Sequence, residues 1–309
     1  MSPRNLGWQD GWLIWRYRGR MVCLSARRWA TGRCGWPGGW WGVFRPPGES
    51  LASVSFADGL PLLARAEVTR GGQPLGWLTH LAPAEALEEA VGALVALIEH
   101  MARQAGRRGA RYLAAETPAE GTGLAVLQKA GLLPLTHLTL WRWTASRPPA
   151  SPTDAWRPLQ PMWLGAAQSL WLERVPPAVR PVIAQPRAQA GWWVLPADRT
   201  IGGVAWVDAG PGGVWVQVFL HPSALPQGEH GLASLLHQVE QRFPHRPVWL
   251  CTVAGDGVED QTLTALGLRR QGHWLLLARP VGLPVSATAP ARAEKATITQ
   301  PLRPIALHS

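Results

Sequence analysis

Apolar and polar residues alternate in two separate stretches of the chain, and both stretches predict β-strands. Residues 62 to 69 and 74 to 81 alternate around Arg70-Gly71-Gly72-Gln73, a pattern that indicates a hairpin. The later stretch predicts strands joined by Gly-rich turns at 192 to 195, 201 to 207 and 214 to 220. The chain therefore contains two predicted antiparallel meanders.

Each meander leads into an amphipathic helix. Residues 84 to 104 place apolar side chains at helical spacing, with glutamates in the first turns, where a helix favours anions. Residues 229 to 243 repeat the pattern, and a separate helix is expected at 162 to 174. After each long helix the sequence predicts a strand, a short helix and a last strand, at 110 to 115, 121 to 130 and 134 to 143, and again at 247 to 253, 257 to 266 and 273 to 279.

Two glycines indicate that the two stretches are copies of one unit. Pro83 precedes Gly131 by 48 residues and Pro222 precedes Gly267 by 45, and each glycine is followed by leucine. The distance between the two glycines is that of a domain rather than of a solenoid repeat. The sequence therefore predicts an N-terminal domain over 1–144, a Pro-rich linker over 145–153, a C-terminal domain over 154–281 and a disordered tail over 282–309.

The first 45 residues are rich in arginine and tryptophan. They hold eight arginines against one aspartate, and strands are expected at 11 to 25 and 40 to 57. A basic surface of this kind can contact nucleic acid, although arginines that contact only solvent are the favoured explanation. The 19 tryptophans of the chain are interpreted as core residues rather than as a platform on which sugars or bases stack.

The composition indicates whether the chain can fold and whether disulfides, metal sites or membrane segments are expected. With 47% apolar residues, the 309-residue chain can bury two cores. Its three cysteines form no CxxC pair and cannot all be bridged, so neither a disulfide framework nor a metal site is indicated, and a cytoplasmic location is expected. The sequence has no run of about 18 apolar residues and no signal-like core, so no membrane partner is expected.

The residues from Val218 to Arg269 carry a known pattern. Val218-x-Leu220-x-Pro222 ends a strand, Gly231-x-Ala233 opens the next helix, and Leu266-Gly267-Leu268-Arg269 closes the following one. In this order they resemble the GCN5-related N-acetyltransferase (GNAT) superfamily, over most of residues 190 to 280 and more weakly over 60 to 143. The resemblance implies an α/β (α+β) protein of two tandem GNAT-like domains, each a mixed, mostly antiparallel twisted sheet flanked by helices and closed by a β-hairpin.

The resemblance also implies acetyl-CoA, or another acyl-CoA, as co-substrate of the C-terminal domain. The backbone of Val218 and Leu220 would pair with the pantetheine amides, and free N–H groups of the next helix would hold the pyrophosphate. The residues assigned to this helix start are Gln227, Gly228, His230, Gly231, Leu232 and Ala233. Gln227 stands one position too far back for the family pattern, and Glu229 places an anion beside the phosphates.

The N-terminal copy departs further from the family pattern. Pro83 is followed by Glu85, Glu88 and Glu89 and by no glycine, so its helix start would repel phosphate. This copy is therefore expected not to bind coenzyme A and to act structurally, as the degenerate half of a tandem protein.

Residues for proton transfer carry a weaker pattern. Many family members use a tyrosine to protonate the leaving thiolate, but Leu127 and Leu263 occupy its positions here. Candidate bases for the attacking amine are His221, Glu229, His230 and Asp256, although Asp256 is better explained as a helix cap and the two histidines as loop residues. The sequence predicts an acyl-CoA-dependent N-acyltransferase with an unidentified amine acceptor. The alternative is a non-catalytic GNAT-like protein that binds protein or nucleic acid through its basic N-terminal region.

Overall fold

A computed structural model of the chain describes most of both predicted domains. The described residues are 2–6, 13, 16–17, 20–34, 50–69, 74–144, 156–189, 191–197, 200–221, 228–254, 256 and 258–282. The predicted turn at 70–73, the linker at 145–153 and nearly all of the tail at 282–309 lie outside the described residues.

Within the described residues, thirteen strands form one mixed, mostly antiparallel sheet. They are β1 (Arg4–Asn5), β2 (Val22–Cys23), β3 (Ser50–Ala57), β4 (Leu60–Val68), β5 (Leu75–Ala82), β6 (Tyr112–Pro118), β7 (Leu133–Trp143), β8 (Arg157–Pro158), β9 (Trp192–Pro196), β10 (Ile201–Gly210), β11 (Gly213–Leu220), β12 (Val248–Val253) and β13 (Leu268–Pro280). Their order is β1-β3-β4-β5-β6-β13-β7-β12-β11-β10-β9-β8, with β2 paired to β5 outside this path. The two predicted meanders are confirmed as β3 to β5 and β9 to β11.

The two halves of the sheet exchange their last strands. We call residues 2–144 the N half and residues 156–282 the C half. β13 ends the C half but lies between β6 and β7 of the N half and pairs antiparallel with both. β7 ends the N half and in turn lies between β13 and β12. The expectation that each domain closes with its own β-hairpin is therefore wrong, because each final strand completes the sheet of the other half.

Helices cover both faces of the sheet. They are α1 (Ala26–Ala30), α2 (Ala86–Glu89), α3 (Val91–Arg107), α4 (Thr122–Lys129), α5 (Leu164–Arg174), α6 (Gly228–Arg242) and α7 (Asp260–Ala265). On one face, α3 and α4 cover an apolar cluster of the N half, and α6 and α7 cover one of the C half. On the opposite face, one apolar cluster joins α1 and α5 to both halves. None of the helices in the described part of the chain has the length and apolar content needed to cross a membrane.

The helix ends explain the repeated Gly-Leu pairs. Gly131 has φ +80° and Gly267 has φ +82°, a region in which glycine avoids the steric cost of a side chain. After α4, the Gly131 N–H donates to the Gln128 carbonyl and the Leu132 N–H to the Leu127 carbonyl, which is a Schellman motif. The two closing glycines therefore have the same structural role. The predicted helix over 84 to 104 is interrupted, because α2 ends at Glu89 and α3 begins at Val91.

The start of the chain differs from its prediction. Leu13, Arg16 and Tyr17 are helical, and α1 follows at Ala26, so the predicted strand over 11 to 25 is wrong apart from the two residues of β2. Leu13 and Tyr17 are spaced by one helical turn, and both are buried in a cluster on the sheet. The strand predicted over 40 to 57 is confirmed from Ser50 onward, and residues 40–49 lie outside the described residues.

One cysteine pair also corrects the sequence analysis. Cys23 and Cys34 form a disulfide with their Cα atoms 5.6 Å apart, whereas no disulfide was expected. Their pairing depends on α1, which reverses the chain between them, and spacing alone does not reveal that reversal. Cys251 is free and buried.

Candidate functional site

Each half contains a parallel strand pair that separates part of the way along. In the C half, β11 and β12 pair from Val214 with Val248 to Gln217 with Cys251, and the pairing stops there. In the N half, β5 and β6 pair from Leu75 with Tyr112 only as far as Trp77 with Ala114. We call the separations beyond these points the C-half gap and the N-half gap. They are the places where a third chain or a ligand can pair with free strand edges.

The backbone of β11 directs two residues into the C-half gap. The Val214 N–H donates to the Pro247 carbonyl on the β12 side, and the His221 N–H donates to the Gly202 carbonyl on the β10 side. Because backbone groups alternate sides along a strand, Val218 and Leu220 point toward the gap. The pairing of Gln217 with Cys251 ends the ladder, so the Val218 carbonyl and the Leu220 backbone groups lie beyond the last paired position. Both residues are buried, so the gap is covered.

The N-half gap is filled by the chain itself. Val22 and Cys23 of β2 pair with Leu81 and His80 of β5. The Leu24 N–H then donates to the Thr79 carbonyl, and the Glu116 N–H of β6 donates to the Leu24 carbonyl. We call residues 22–26 the inner segment. It occupies the edges of both separated strands, which gives a structural reason, beyond the helix-start charges, for expecting no coenzyme A in this half.

A cavity of about 430 Å³ lies at the mouth of the N-half gap. Val22 of the inner segment lines it together with the beginnings of α2 and α4. Three of the residues in its wall are Glu85, Glu88 and Glu89. The acidic helix start noted in the sequence therefore faces the position at which a phosphate would have to bind.

The residues predicted to hold pyrophosphate divide between the surface and the core. Gln227 lies outside the described residues, and Gly228 and Glu229 are the first residues of α6. His230 is exposed and Ala233 is half-buried. The Gly231 carbonyl accepts a 2.8 Å bond from Trp156 Nε1, and Leu232 belongs to the core. The outer side of this helix start is therefore formed by His230 and Ala233.

Two of the candidate bases, His221 and Asp256, lie at the ends of β11 and β12. His221 follows β11 and is half-buried. Asp256 follows β12, and its carboxylate accepts the Val253 N–H at 2.9 Å and the Val258 N–H at 3.0 Å. The N-cap of α7 is Glu259, so the interpretation of Asp256 as a helix cap is wrong, because its carboxylate closes the loop before the helix. Burial raises the pKa of Asp256 to about 6.

A central cavity of about 280 Å³ lies on the opposite face of the sheet from α6, between the two halves. Its wall includes Gln217 and Cys251, the last paired residues before the C-half gap. On the N-half side it includes Glu116 and Arg27. Four tryptophans also line it, namely Trp77, Trp192, Trp206 and Trp215. Part of the tryptophan content therefore surrounds a cavity.

Glu116 is the titratable group of this cavity that sequence reasoning missed. It is only 6% exposed, and its Oε2 accepts the Ala26 N–H at 2.6 Å. Burial raises its pKa to about 7, while the Ala26 N–H and the Arg27 charge oppose that rise. A carboxylate directly after the predicted buried strand over 110 to 115 was the signal in the sequence that could have identified it.

The pKa of the cysteine in the cavity wall depends in part on this carboxylate. Burial raises the pKa of the Cys251 thiol well above its ordinary value, and the charges of Glu116 and Asp256 raise it further. Glu116 on β6 and Cys251 on β12 both line the cavity, with β13 and β7 between their strands in the sheet. In the described part of the chain, no three His, Cys, Asp or Glu side chains form a group suited to a metal ion.

Four of the eight arginines among the first 45 residues form ion pairs within the protein. Arg20 pairs with Glu85 and Arg28 with Glu67. Arg27 and Arg33 both pair with Asp208 of β10. The positive charge available to an external polyanion from these residues is therefore smaller than the composition suggests.

No protein-family profile and no curated protein matches the sequence. A GCN5-related N-acetyltransferase from Sphaerobacter thermophilus is similar in structure, with 16% identity, 90% of this chain and 95% of that chain covered, and a TM-score of 0.55. A tandem GNAT protein from the clavulanic acid biosynthesis pathway is 16% identical over 91% of this chain and 98% of its own, with a TM-score of 0.51. A GNAT-family acetyltransferase from Colwellia psychrerythraea is 9% identical, with 91% and 100% covered and a TM-score of 0.50. The chain has a GNAT-like fold in a tandem arrangement.

Proposed function

We propose that the protein is an acyl-CoA-dependent N-acyltransferase whose donor site is the C-half gap. The observation that carries this proposal is the end of β11–β12 pairing after Gln217 and Cys251, which leaves the backbone groups of Val218 and Leu220 directed into the gap. The two amides of a pantetheine chain can pair with such groups as an added strand would. The thioester would then reach the point where the strands meet, beside the central cavity.

The start of α6 suits the phosphates of this donor. Its first N–H groups have no partner within the helix, and the helix dipole favours an anion there. His230 is exposed at this end, and Gly228 begins the helix. Glu229 opposes an anion through its charge, so the expected affinity for acyl-CoA is moderate.

The N half has a structural role in this proposal. Its gap contains the inner segment, and its helix start carries Glu85, Glu88 and Glu89. It also supplies β7, which completes the sheet beside β12. One donor site per chain is therefore expected.

The transfer step does not require a side chain that protonates the leaving thiolate. The amine nitrogen forms a bond to the thioester carbonyl carbon, the carbon–sulfur bond breaks, and the thiolate takes a proton released by the nitrogen. Leu263 is buried where a tyrosine would protonate the thiolate, so the proton is expected to come from the amine itself. Holding the two reactants together supplies much of the acceleration.

Calorimetric titration of the full chain with acetyl-CoA tests the donor site. We expect saturable binding with one site per chain and about 5-fold to 10-fold weaker binding in His230→Glu, which adds an anion at the helix start. The matched control is Gln241→Glu, which adds the same charge in the last turn of α6 and leaves binding unchanged. A folded protein that releases no heat at millimolar acetyl-CoA would reject the proposal and leave the non-catalytic alternative.

A further inference from the structure

The central cavity meets the C-half gap at the point where a donor thioester would end. Gln217 and Cys251 belong both to the last paired position of β11 and β12 and to the cavity wall. The cavity lies on the face of the sheet opposite α6, so a molecule inside it approaches from the side away from the donor phosphates. Its position therefore suits a second reactant.

The aromatic walls indicate what kind of molecule fits. Trp192 and Trp206 are stacked, with ring centroids 6.0 Å apart and 15° between their planes. Trp215 is only 2% exposed, and its indole Nε1 has no hydrogen-bond partner among the described residues. Flat aromatic groups pack well against such walls, and a free indole N–H can donate to an oxygen of a ligand. A volume of about 280 Å³ limits the occupant to a small molecule.

The charges of the wall restrict the occupant further. Among the wall residues that the structure describes, Glu116 is the one carboxylate, and Arg27, Arg180 and Arg187 are the arginines. The Arg27 charge is partly matched by Asp208, and Arg180 donates to the carbonyls of Val175 and Leu172. One cationic group can therefore be balanced at Glu116, whereas further cationic groups of a ligand would be repelled by the Arg180 guanidinium, which donates to neutral carbonyls.

We propose that the central cavity is the acceptor site, that it binds a small aromatic molecule with a single primary amine, and that Glu116 of the N half accepts the amine proton. This inference rests on the proposed acyl-CoA donor site in the C half. The reactive group would thus come from one half and the base from the other.

The step balances with Glu116 as base. An ammonium group gives one proton to the Glu116 carboxylate, and the neutral amine forms a bond to the thioester carbon. The carbon–sulfur bond then breaks, the second nitrogen proton passes to the leaving thiolate, and Glu116 returns its proton to water. A carboxyl group with a pKa of about 7 is suited to hold that proton near neutral pH.

The exchanged strands bring Glu116 to the cavity. β13 separates β6 from β7, and Leu276 of β13 lies opposite Glu116. Leu276 and Leu138 of β7 form part of the cavity wall between Glu116 and Cys251. A simple structural role for Glu116 is to accept the Ala26 N–H at the start of α1. The experiment must therefore separate catalysis from support of this short helix.

The test measures release of coenzyme A from acetyl-CoA by the full chain, with tryptamine, phenethylamine, tryptophan and spermidine as acceptors. We expect transfer to the aromatic amines and at least 10-fold lower kcat/KM for spermidine. Tryptophan distinguishes a plain aromatic amine from an aromatic amino acid, because its carboxylate faces the arginines of the wall. Binding of acetyl-CoA without transfer to any aromatic amine would overturn the inference and leave the proposed function standing.

Two variants test the role of Glu116 and of the wall. Glu116→Gln is expected to lower kcat/KM at least 100-fold and to remove the loss of activity below pH 7, with acetyl-CoA affinity unchanged. Glu120→Gln, which removes an exposed carboxylate just after the same strand, should retain full activity. Trp215→Phe keeps the ring but removes its N–H, and is expected to raise KM for tryptophan about 5-fold with kcat unchanged. Full activity of Glu116→Gln overturns the inference. Should Glu116→Gln fail to fold, an unchanged KM in Trp215→Phe would overturn it instead.

Discussion

The N-half gap and the C-half gap share a geometry but differ in what occupies them. In both, a parallel strand pair separates after a few residues, and both are followed by a helix. In the N half the inner segment pairs with both strands, whereas in the C half no described segment pairs with β11 beyond Gln217 on that side. The comparison shows that a duplicated fold can preserve the separation of the two parallel strands in both copies while, among the described residues, the chain itself pairs into only one of them.

The largest expected effect comes from separating the two halves. Residues 1–144 and residues 154–282, expressed alone, are each expected not to fold, because β13 and β7 would be missing from the sheets that they complete. Circular dichroism and thermal unfolding would show no cooperative transition for either fragment. Mixing the two fragments should restore a transition. Cooperative unfolding of one fragment alone would show that the halves are independent.

Two buried carboxylates predict a pH dependence that differs between the halves. Glu116 has its pKa raised from 4.5 to about 7, and Asp256 from 3.8 to about 6, both mainly by burial. An acid with a raised folded-state pKa stabilises the fold fully below its unfolded pKa and loses that contribution as the pH rises through the folded value. The Glu116 contribution is therefore lost between pH 4.5 and about 7, and amounts to about 3 kcal/mol.

The groups that face the two carboxylates define the controls for this measurement. Glu116 faces Ser25, the Ala26 N–H, Arg27 and Cys251. Asp256 faces Arg174 and Asp260. In urea unfolding, the free energy of unfolding of Glu116→Gln should change less with pH between pH 4.5 and about 7 than that of the wild type. For Asp256→Asn, the same is expected between pH 3.8 and about 6. An unchanged slope in Glu116→Gln would show that this residue does not titrate in that range.

The disulfide is expected to stabilise the N half, whose gap the inner segment fills, and to leave the C-half gap unaffected. It joins Cys23 of the inner segment to Cys34 and closes a loop with a sequence separation of 11. The double variant Cys23→Ser/Cys34→Ser should lower the free energy of unfolding by about 2–3 kcal/mol, since a loop of this length adds that much entropy to the unfolded chain. The comparison is between oxidised wild type and this variant in urea. If acetyl-CoA affinity also fell, the inner segment would be coupled to the C-half gap.

The smallest expected effect concerns the ion pairs that Arg27 of α1 and Arg33 make with Asp208 of β10. Asp208 has an 18% exposed side chain and pairs with Arg33 at 2.9 Å and Arg27 at 3.4 Å. Asp208→Asn is expected to destabilise the fold by about 1 kcal/mol, because the half-buried Arg27 and the exposed Arg33 lose their charged partner. Glu99→Gln removes the exposed ion pair with Arg103 within α3 and should change the free energy of unfolding by less than about 0.5 kcal/mol. Equal effects of both changes in denaturant titrations would contradict this ranking.

The regular elements of the fold were predictable because their signals are local. The strands of both meanders and the long helices follow from alternation and from helical spacing, and the Gly131 and Gly267 closures follow from the need for positive φ. The exchange of β7 and β13 was not predictable in this way. Both strands have the same alternation whichever neighbours they pair with, so their sequence does not specify the half that they complete.

The candidate site was predictable only in its backbone. Val218 and Leu220 were selected from a strand-to-helix pattern, and the structure places them where β11 passes the last position paired with β12; their pairing with pantetheine stays a prediction. Glu116 could not be linked to the central cavity, because it lies in the other half and shares the cavity wall with Cys251 only through the exchanged strands. The roles of His221 and Glu229 stay predictions, and so does the assignment of the α6 start to pyrophosphate.

The place of β13 in the sheet also sets an order of events during biosynthesis. Leu268–Pro280 leaves the ribosome after every strand between which it lies, because translation proceeds from the N-terminus. Until then β6 and β7 have an open edge of apolar residues between them, a state that chaperones recognise and that promotes aggregation. The nascent chain therefore cannot complete its first half early, and both halves must mature together once translation has passed residue 280.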